Sequence, residues 1–306
     1  PLGYLGATAY KTVFSKYIFG GNAVYDRFDF SGISNAAAGL NYRFLISSIV
    51  LFGEAATSEN GGFGIITGLE SSVGTGTELT IAYRNYSKDF QSILGSGFGE
   101  SSGMPQNEEG IYSGVRQELN KAITVSGYFD RYRFPAPRFG TGQPTRGYDW
   151  LGLLEFTINR NMEIYLQARS ELKEDEYIST DPFGRTVRKL GEAMRSSYRL
   201  QVDYWVNKKV RLRSRGEFVQ SRKAGQKNKT GYLIYQDLRI VASSKWKMDG
   251  RVTVFETADF DSRVYQFEND LLYVMSNEVL FGRGQRLYVL LNYEPFRFME
   301  IWAKFG

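Results

Sequence analysis

The chain has no cysteine and no histidine among its 306 residues. The first absence excludes disulfides and thiolate metal sites. The second excludes a Ser-His-Asp triad, a histidine proton relay and histidine metal ligands. It also weighs against a hydrolase embedded in a barrel, because the familiar barrel lipases and proteases use histidine. No run approaches about 18 uncharged apolar residues, so no transmembrane helix is encoded. The glycine-rich stretches at Gly20-Gly21, Gly61-Gly62 and residues 95–99 lack the strand-to-helix context of a phosphate loop, so no nucleotide cofactor is expected.

What is present is a hairpin rhythm. Segments of about ten residues alternate apolar and polar side chains, the length a tilted strand needs to cross a bilayer. Met162, Ile164, Leu166 and Ala168 alternate with Glu163, Tyr165, Gln167 and Arg169. Leu287, Val289, Leu291 and Tyr293 alternate with Arg286, Tyr288, Leu290 and Asn292. One face suits hydrocarbon and the other suits water. The pattern predicts an all-β, antiparallel, up-and-down transmembrane β-barrel with about 15 strands. A mean hydropathy of −0.35 does not oppose it, since inward residues dilute the lipid-facing ones. Aromatic content of 15% would supply the girdles at the two membrane interfaces.

Turn chemistry joins the segments on one side. Residues 74–76, Asn120-Lys121, residues 159–161 and Asn207-Lys208 offer Gly and Asn, which tolerate the positive φ of tight hairpins. Long connections are expected at about 13–34, 89–108, 135–146, 173–194, 222–229 and 259–284. Short turns facing the periplasm and long loops facing outside are the topology of the bacterial outer membrane. An odd strand count does not fit a single-chain barrel, so either a strand is miscounted or residues 1–306 are an incomplete portion of a longer barrel. The absence of a signal peptide is read the same way, as a mature or truncated form.

The strand after Lys209 is the boldest case. Arg211, Arg213 and Arg215 alternate with Val210, Leu212 and Ser214. Three guanidiniums on a lipid face would cost several kcal/mol, so they must face the lumen. Asp203, Asp237, Arg239 and Arg251 are expected to join them there. Both signs of charge interleave, which favours a ladder of cross-strand ion pairs over an open conducting path. Acidic clusters at Glu108-Glu109, residues 171–176 and residues 259–261 lack EF-hand spacing and read as solvated charge rather than a metal site. The basic run Arg222, Lys223, Lys227 and Lys229 could meet lipopolysaccharide phosphates, but a net charge of +5 is ordinary for a solvated surface. The connection at 259–284 is too rich in Tyr265, Phe267, Leu271, Leu272 and Tyr273 to be structureless. It is expected to fold over the barrel mouth, or pair with neighbouring loops, as a cap or partner surface.

Several stretches also carry a resemblance. GATAYKT (6–12), YDRFDFSGISNAAAGLNY (25–42), FGEAATSENGGFG (52–64), RNYSKDFQ (84–91) and NEEGIYSGV (107–115) run in order. YFDRYRFP (128–135), LIYQDL (233–238), DSRVYQFENDLLYVMS (261–276) and GRGQRLYVLLNY (282–293) continue it. Together they resemble a Bacteroidota family of large envelope proteins, with an N-terminal helix-hairpin-helix domain followed by a β-rich region. The resemblance covers nearly the whole chain and includes no catalytic signature. It implies that this chain is the C-terminal portion of a longer barrel with a last strand missing. The helix-hairpin-helix residues are absent here, so no nucleic-acid partner is implied.

The expected function is therefore a non-enzymatic outer-membrane β-barrel, acting in transport or export or as a subunit of an envelope complex. Its expected partners are membrane lipid, lipopolysaccharide and other proteins of such a complex. The alternative is a soluble or surface-exposed β-protein that binds glycans through loop aromatics.

Overall fold

The structure is a computed structural model and describes residues 2–101 and 104–306. Its main element is one antiparallel, up-and-down sheet of 15 strands. The strands are β1 (Gly3–Ile18), β2 (Gly32–Ile46), β3 (Ile49–Ser58), β4 (Phe63–Val73), β5 (Thr77–Tyr86) and β6 (Glu108–Asn120). They continue with β7 (Ile123–Phe134), β8 (Thr145–Asn159), β9 (Met162–Thr180), β10 (Thr186–Asn207), β11 (Val210–Lys223), β12 (Lys229–Val241) and β13 (Trp246–Thr257). A separate two-stranded ribbon, β14 (Val264–Glu268) with β15 (Ser276–Leu280), precedes β16 (Arg283–Phe296) and β17 (Met299–Phe305). Among the described residues the only helical pieces are short 3-10 turns at Val24–Phe28 and Phe260–Ser262. Among the described residues β1 and β17 are the two edges of the strand order and no ladder joins them.

The contacts divide into two compact units. One holds the residues through Glu118 with Ser126–Trp150 and Glu171–Ala193; the other holds Leu119–Val125, Leu151–Ser170 and Met194–Gly306. In the first unit, register fixes the faces. Leu79 lies opposite Val115, and Tyr83 opposite Ile111, on one face; Ala82 lies opposite Tyr112, and Tyr86 opposite Glu108, on the other. Leu79, Ile81, Ile111 and Val115 are exposed, whereas Ala82, Arg84, Tyr86 and Glu108 are buried. The side chains that face outward are the apolar ones, the reverse of a water-soluble protein.

The second unit repeats the inversion. Phe218 pairs with Tyr232, Gly216 with Ile234, and Val252 with Leu287, all on an exposed apolar face. At one end of it the rings of Trp246 and Tyr293 stack 4.1 Å apart. At the other, Tyr232 donates a hydrogen bond to Glu256 over 2.8 Å. Roughly ten residues separate these polar and aromatic ends, the length of one tilted crossing.

Tight turns follow from local chemistry. Gly74 and Gly76 take φ of 59° and 84° between β4 and β5, values that L side chains rarely adopt. One expected long connection is not a loop, and another is shorter than expected. The stretch at 173–194 is strand almost throughout, since β9 runs to Thr180 and β10 starts at Thr186. The stretch at 13–34 is shortened at both ends, because β1 reaches Ile18 and β2 starts at Gly32. Charge and aromatics at both places read as loop, yet cross-strand pairs carry the sheet beyond the apolar belt.

Candidate functional site

The polar face of the second unit is built from β10 to β13, β16 and β17. Register sets Arg213 opposite Asp237, Asp237 opposite Arg251, and Arg239 opposite both Arg211 and Asp249. Arg211, Arg213, Arg215, Asp237, Arg239 and Arg251 therefore share one face, as alternation requires. Asp203 joins them through Arg213, whose Nε donates to Asp203 Oδ1 over 2.7 Å. Arg239 binds Asp249 through both Nε (2.7 Å) and Nη2 (3.1 Å). Arg251 grips Asp237 with Nε and with Nη2, the latter at 2.7 Å, while its guanidinium sits 3.9 Å from the centre of the Tyr235 ring. Asp203, Asp237, Asp249 and Arg251 are buried and each is matched; removing one partner would strand the other.

In the expected ladder of cross-strand ion pairs, all three arginines of β11 would take acidic partners. Only Arg213 does. Arg215 bonds the Gln201 side chain (2.6 and 3.0 Å) and lies over Tyr235. Arg211 faces Arg239 across the ladder and has no ion pair among the described residues. The period-two pattern fixes a side chain's face but not its neighbour, which depends on strand register.

The segment between β13 and β16 packs against this same face rather than lying across the strand ends. Val264 pairs with Leu280, and both enter an apolar cluster with Val219, Leu233 and Tyr235. Further along, Thr253 Oγ1 donates to Gln266 Oε1 (2.6 Å), and Gln266 Nε2 donates to Glu268 Oε1 (2.8 Å). Glu268 is 0% exposed and accepts from Arg286 (2.6 and 3.1 Å); Lys304 sits 3.1 Å away. Lys304 also donates to Asp270 over 2.8 Å, and Arg251 Nη1 donates to the Phe267 carbonyl over 2.6 Å. The Lys304 ammonium, helped by Ser276, lowers the Asp270 carboxyl to about 2.

The five residues expected to form the cap lie on the ribbon's other side or at its tip. Phe267, Leu272 and Tyr273 are exposed, Tyr273 at 97% with φ of 66°. Leu271 is exposed at the tip, and Tyr265 accepts a hydrogen bond from Arg263. The residues that hold the ribbon are their alternates, Val264, Gln266 and Glu268. The sequence signal for them was the strand alternation at 264–268.

At the root of the segment, Lys223 and Lys229 bind Asp261 at 2.7 and 2.8 Å. These bonds hold Asp261 below the usual carboxylate range, and a contact from Lys229 does the same for Asp259. Half of the basic run is thereby neutralised within the chain. Among the described residues no cluster of Asp and Glu is arranged to hold a metal ion.

The first unit has a buried centre that sequence reading missed. Arg84 binds Glu108 (2.6 Å) and both carboxylate oxygens of Asp130 (2.8 and 3.0 Å). Glu108 also accepts from the backbone N–H groups of Glu100 and Ser101, so the connection after β5 is tied to it. A Cβ on Gly110 would stand 2.6 Å from the Arg84 guanidinium carbon, so glycine opens the space the arginine fills. An arginine facing a glycine across a strand pair was the available signal.

No family model and no curated protein matches the chain. Solved structures of similar fold are OmpT, an outer membrane protein of Vibrio cholerae (TM-score 0.47, 10% identity, covering 95% of this chain and 97% of that one); the anion-selective porin from Comamonas acidovorans (0.46, 8%, 98% and 99%); and the outer membrane channel DcaP of Acinetobacter baumannii (0.46, 9%, 94% and 96%).

Proposed function

We propose that this chain forms the wall of a bacterial outer-membrane β-barrel, non-enzymatic, serving as an occluded transport or export component or as a subunit of an envelope complex. The observation that carries this reading is the inversion of the sheet. In the first unit exposed Ile81 and buried Arg84 lie on opposite faces, and in the second exposed Ile234, Val252 and Leu287 lie opposite buried Asp237 and Arg251. Only a hydrocarbon surround makes that arrangement favourable on both sides. The same inversion weighs against a soluble glycan-binding protein.

Occlusion rests on the ribbon. A passive pore gains nothing from seating a two-stranded segment against its charged face with at least four side-chain bonds. Deleting residues 266–278 from the full chain tests this in planar bilayers and in pull-downs. A rise in single-channel conductance supports a plug, and release of a co-purifying protein supports a subunit contact. If neither changes, the ribbon has no gating or partner role. The membrane assignment is tested separately: a monodisperse, detergent-free monomer in water would overturn it.

A further inference from the structure

The outward face of the first unit carries a charged cluster beyond its exposed Leu79, Ile81, Ile111 and Val115. Phe129 and Tyr148 stack there, ring centres 5.9 Å apart, as an aromatic band. One step further along the strands lies a groove of about 740 Å³ lined by Tyr83, Glu109, Arg131, Arg133, Arg146 and Glu174. Glu109 lies two residues from exposed Ile111 on the same face of β6. Arg131 and Arg133 alternate with buried Asp130, Tyr132 and Phe134, which places the arginines outward.

Two of the arginines are committed. Arg133 Nε donates to Glu109 Oε2 over 2.6 Å, and Tyr83 donates to the same carboxylate over 3.2 Å. Arg146 donates to Glu174 through its backbone N–H (3.0 Å) and Nε (3.2 Å). Arg131 is exposed and has no acceptor among the described residues. The groove thus holds an unneutralised guanidinium between two fixed ion pairs, directly above an apolar, aromatic-edged belt.

We infer that this groove binds the phosphate of an outer-leaflet glycolipid headgroup, with Arg131 as the principal contact. The inference rests on the outer-membrane reading above. At that depth the molecules that lie against the sheet are membrane lipids, with chains on Ile111 and Phe129 and headgroups one step higher. A guanidinium presents a planar fork of donors that fits phosphate oxygens. The charge of the groove selects an anion, and the belt beneath it selects an amphiphile over a free ion.

The test uses the full chain inserted in lipid nanodiscs, with insertion verified by heat-modifiable mobility. The probes are a diphosphorylated acyl-disaccharide lipid, its dephosphorylated counterpart and inorganic phosphate, read by native mass spectrometry. The phosphorylated lipid should bind at least about tenfold more tightly than the dephosphorylated one, the scale of one charge-assisted hydrogen bond. Arg131→Gln should remove that preference and leave weak binding of the dephosphorylated lipid intact. Arg131→Lys, which keeps the charge without the fork, should retain part of it and serves if the first variant does not insert. Unchanged preference in Arg131→Gln overturns the proposal. So does binding of inorganic phosphate as tight as that of the lipid, or cross-linking that finds a protein subunit in the groove. Failure with correctly inserted protein leaves the membrane reading standing; failure to insert at all removes both.

Discussion

Two stretches of similar length leave the apolar belt in opposite ways. The far ends of β9 and β10 continue the sheet to a turn at residues 181–185, whereas residues 258–282 leave the sheet and fold back as β14 and β15. The difference lies in what the alternate positions carry. The β9–β10 extension has charge on both faces: Lys173 meets Glu100 (2.5 Å) on one, and Arg146 meets Glu174 (3.2 Å) on the other. It has no apolar face to bury, so it stays in the ladder. The ribbon has Val264 and Leu280 on one face, followed by Gln266 and Glu268. That face matches a surface that is apolar at Val219 and Leu233, then cationic at Arg286 and Lys304. Complementarity, rather than length or aromatic content, decides which stretch folds back.

The contrast is broken most strongly at Glu268. Glu268→Ala leaves Arg286 and Lys304 without their carboxylate and should cost about 3 kcal/mol, as expected when one member of a buried ion set is removed. Urea titration in detergent micelles reads the loss, and protease cleavage near Asn269 should appear with it. A variant of unchanged stability would mean that the ribbon is held by its apolar end alone. Leu280→Ala examines that end, with an expected loss of roughly 2 kcal/mol.

Acidity sharpens the same point. The Asp270 carboxyl falls from an ordinary 3.8 to about 2 in the folded chain. A depressed folded value means that the stabilisation is present above 3.8 and is lost as pH falls through about 2. A fluorophore on Met275→Cys, the sole thiol in the chain, should report increased mobility across that window and none between pH 5 and 8. The smallest effect is expected at Arg188→Ala in the extension. Its guanidinium is 3.7 Å from Glu176 and 80% exposed, so stability should move by less than about 0.5 kcal/mol.

Much of the sheet was legible because period-two alternation is local. Met162 to Ala168 and Leu287 to Tyr293 reveal their faces without reference to any other strand. The charged face of β11 was legible for the same reason. What could not be read was which groups meet across strands. Arg211 and Arg213 are alike in sequence context, yet register gives one Arg239 and the other Asp237. The buried Arg84 centre was hidden because Glu108 and Gly110 are brought to it by β6 and Asp130 by β7. The ribbon was half legible: its order was evident from residues 264–275, but the surface it fits is assembled from β11, β12, β13, β16 and β17.

The ribbon has a further consequence for how the sheet is assembled. β13 and β16 are neighbours joined by roughly 25 residues, and closing such a loop costs about 1 kcal/mol more than closing one of about eight. Pairing Val264 with Leu280 leaves a connection of only that shorter length. A ribbon that zips first, from contacts near in sequence, brings Arg283 towards Glu256 before any distant pairing is made. Its early closure would set the order in which the last strands join the wall.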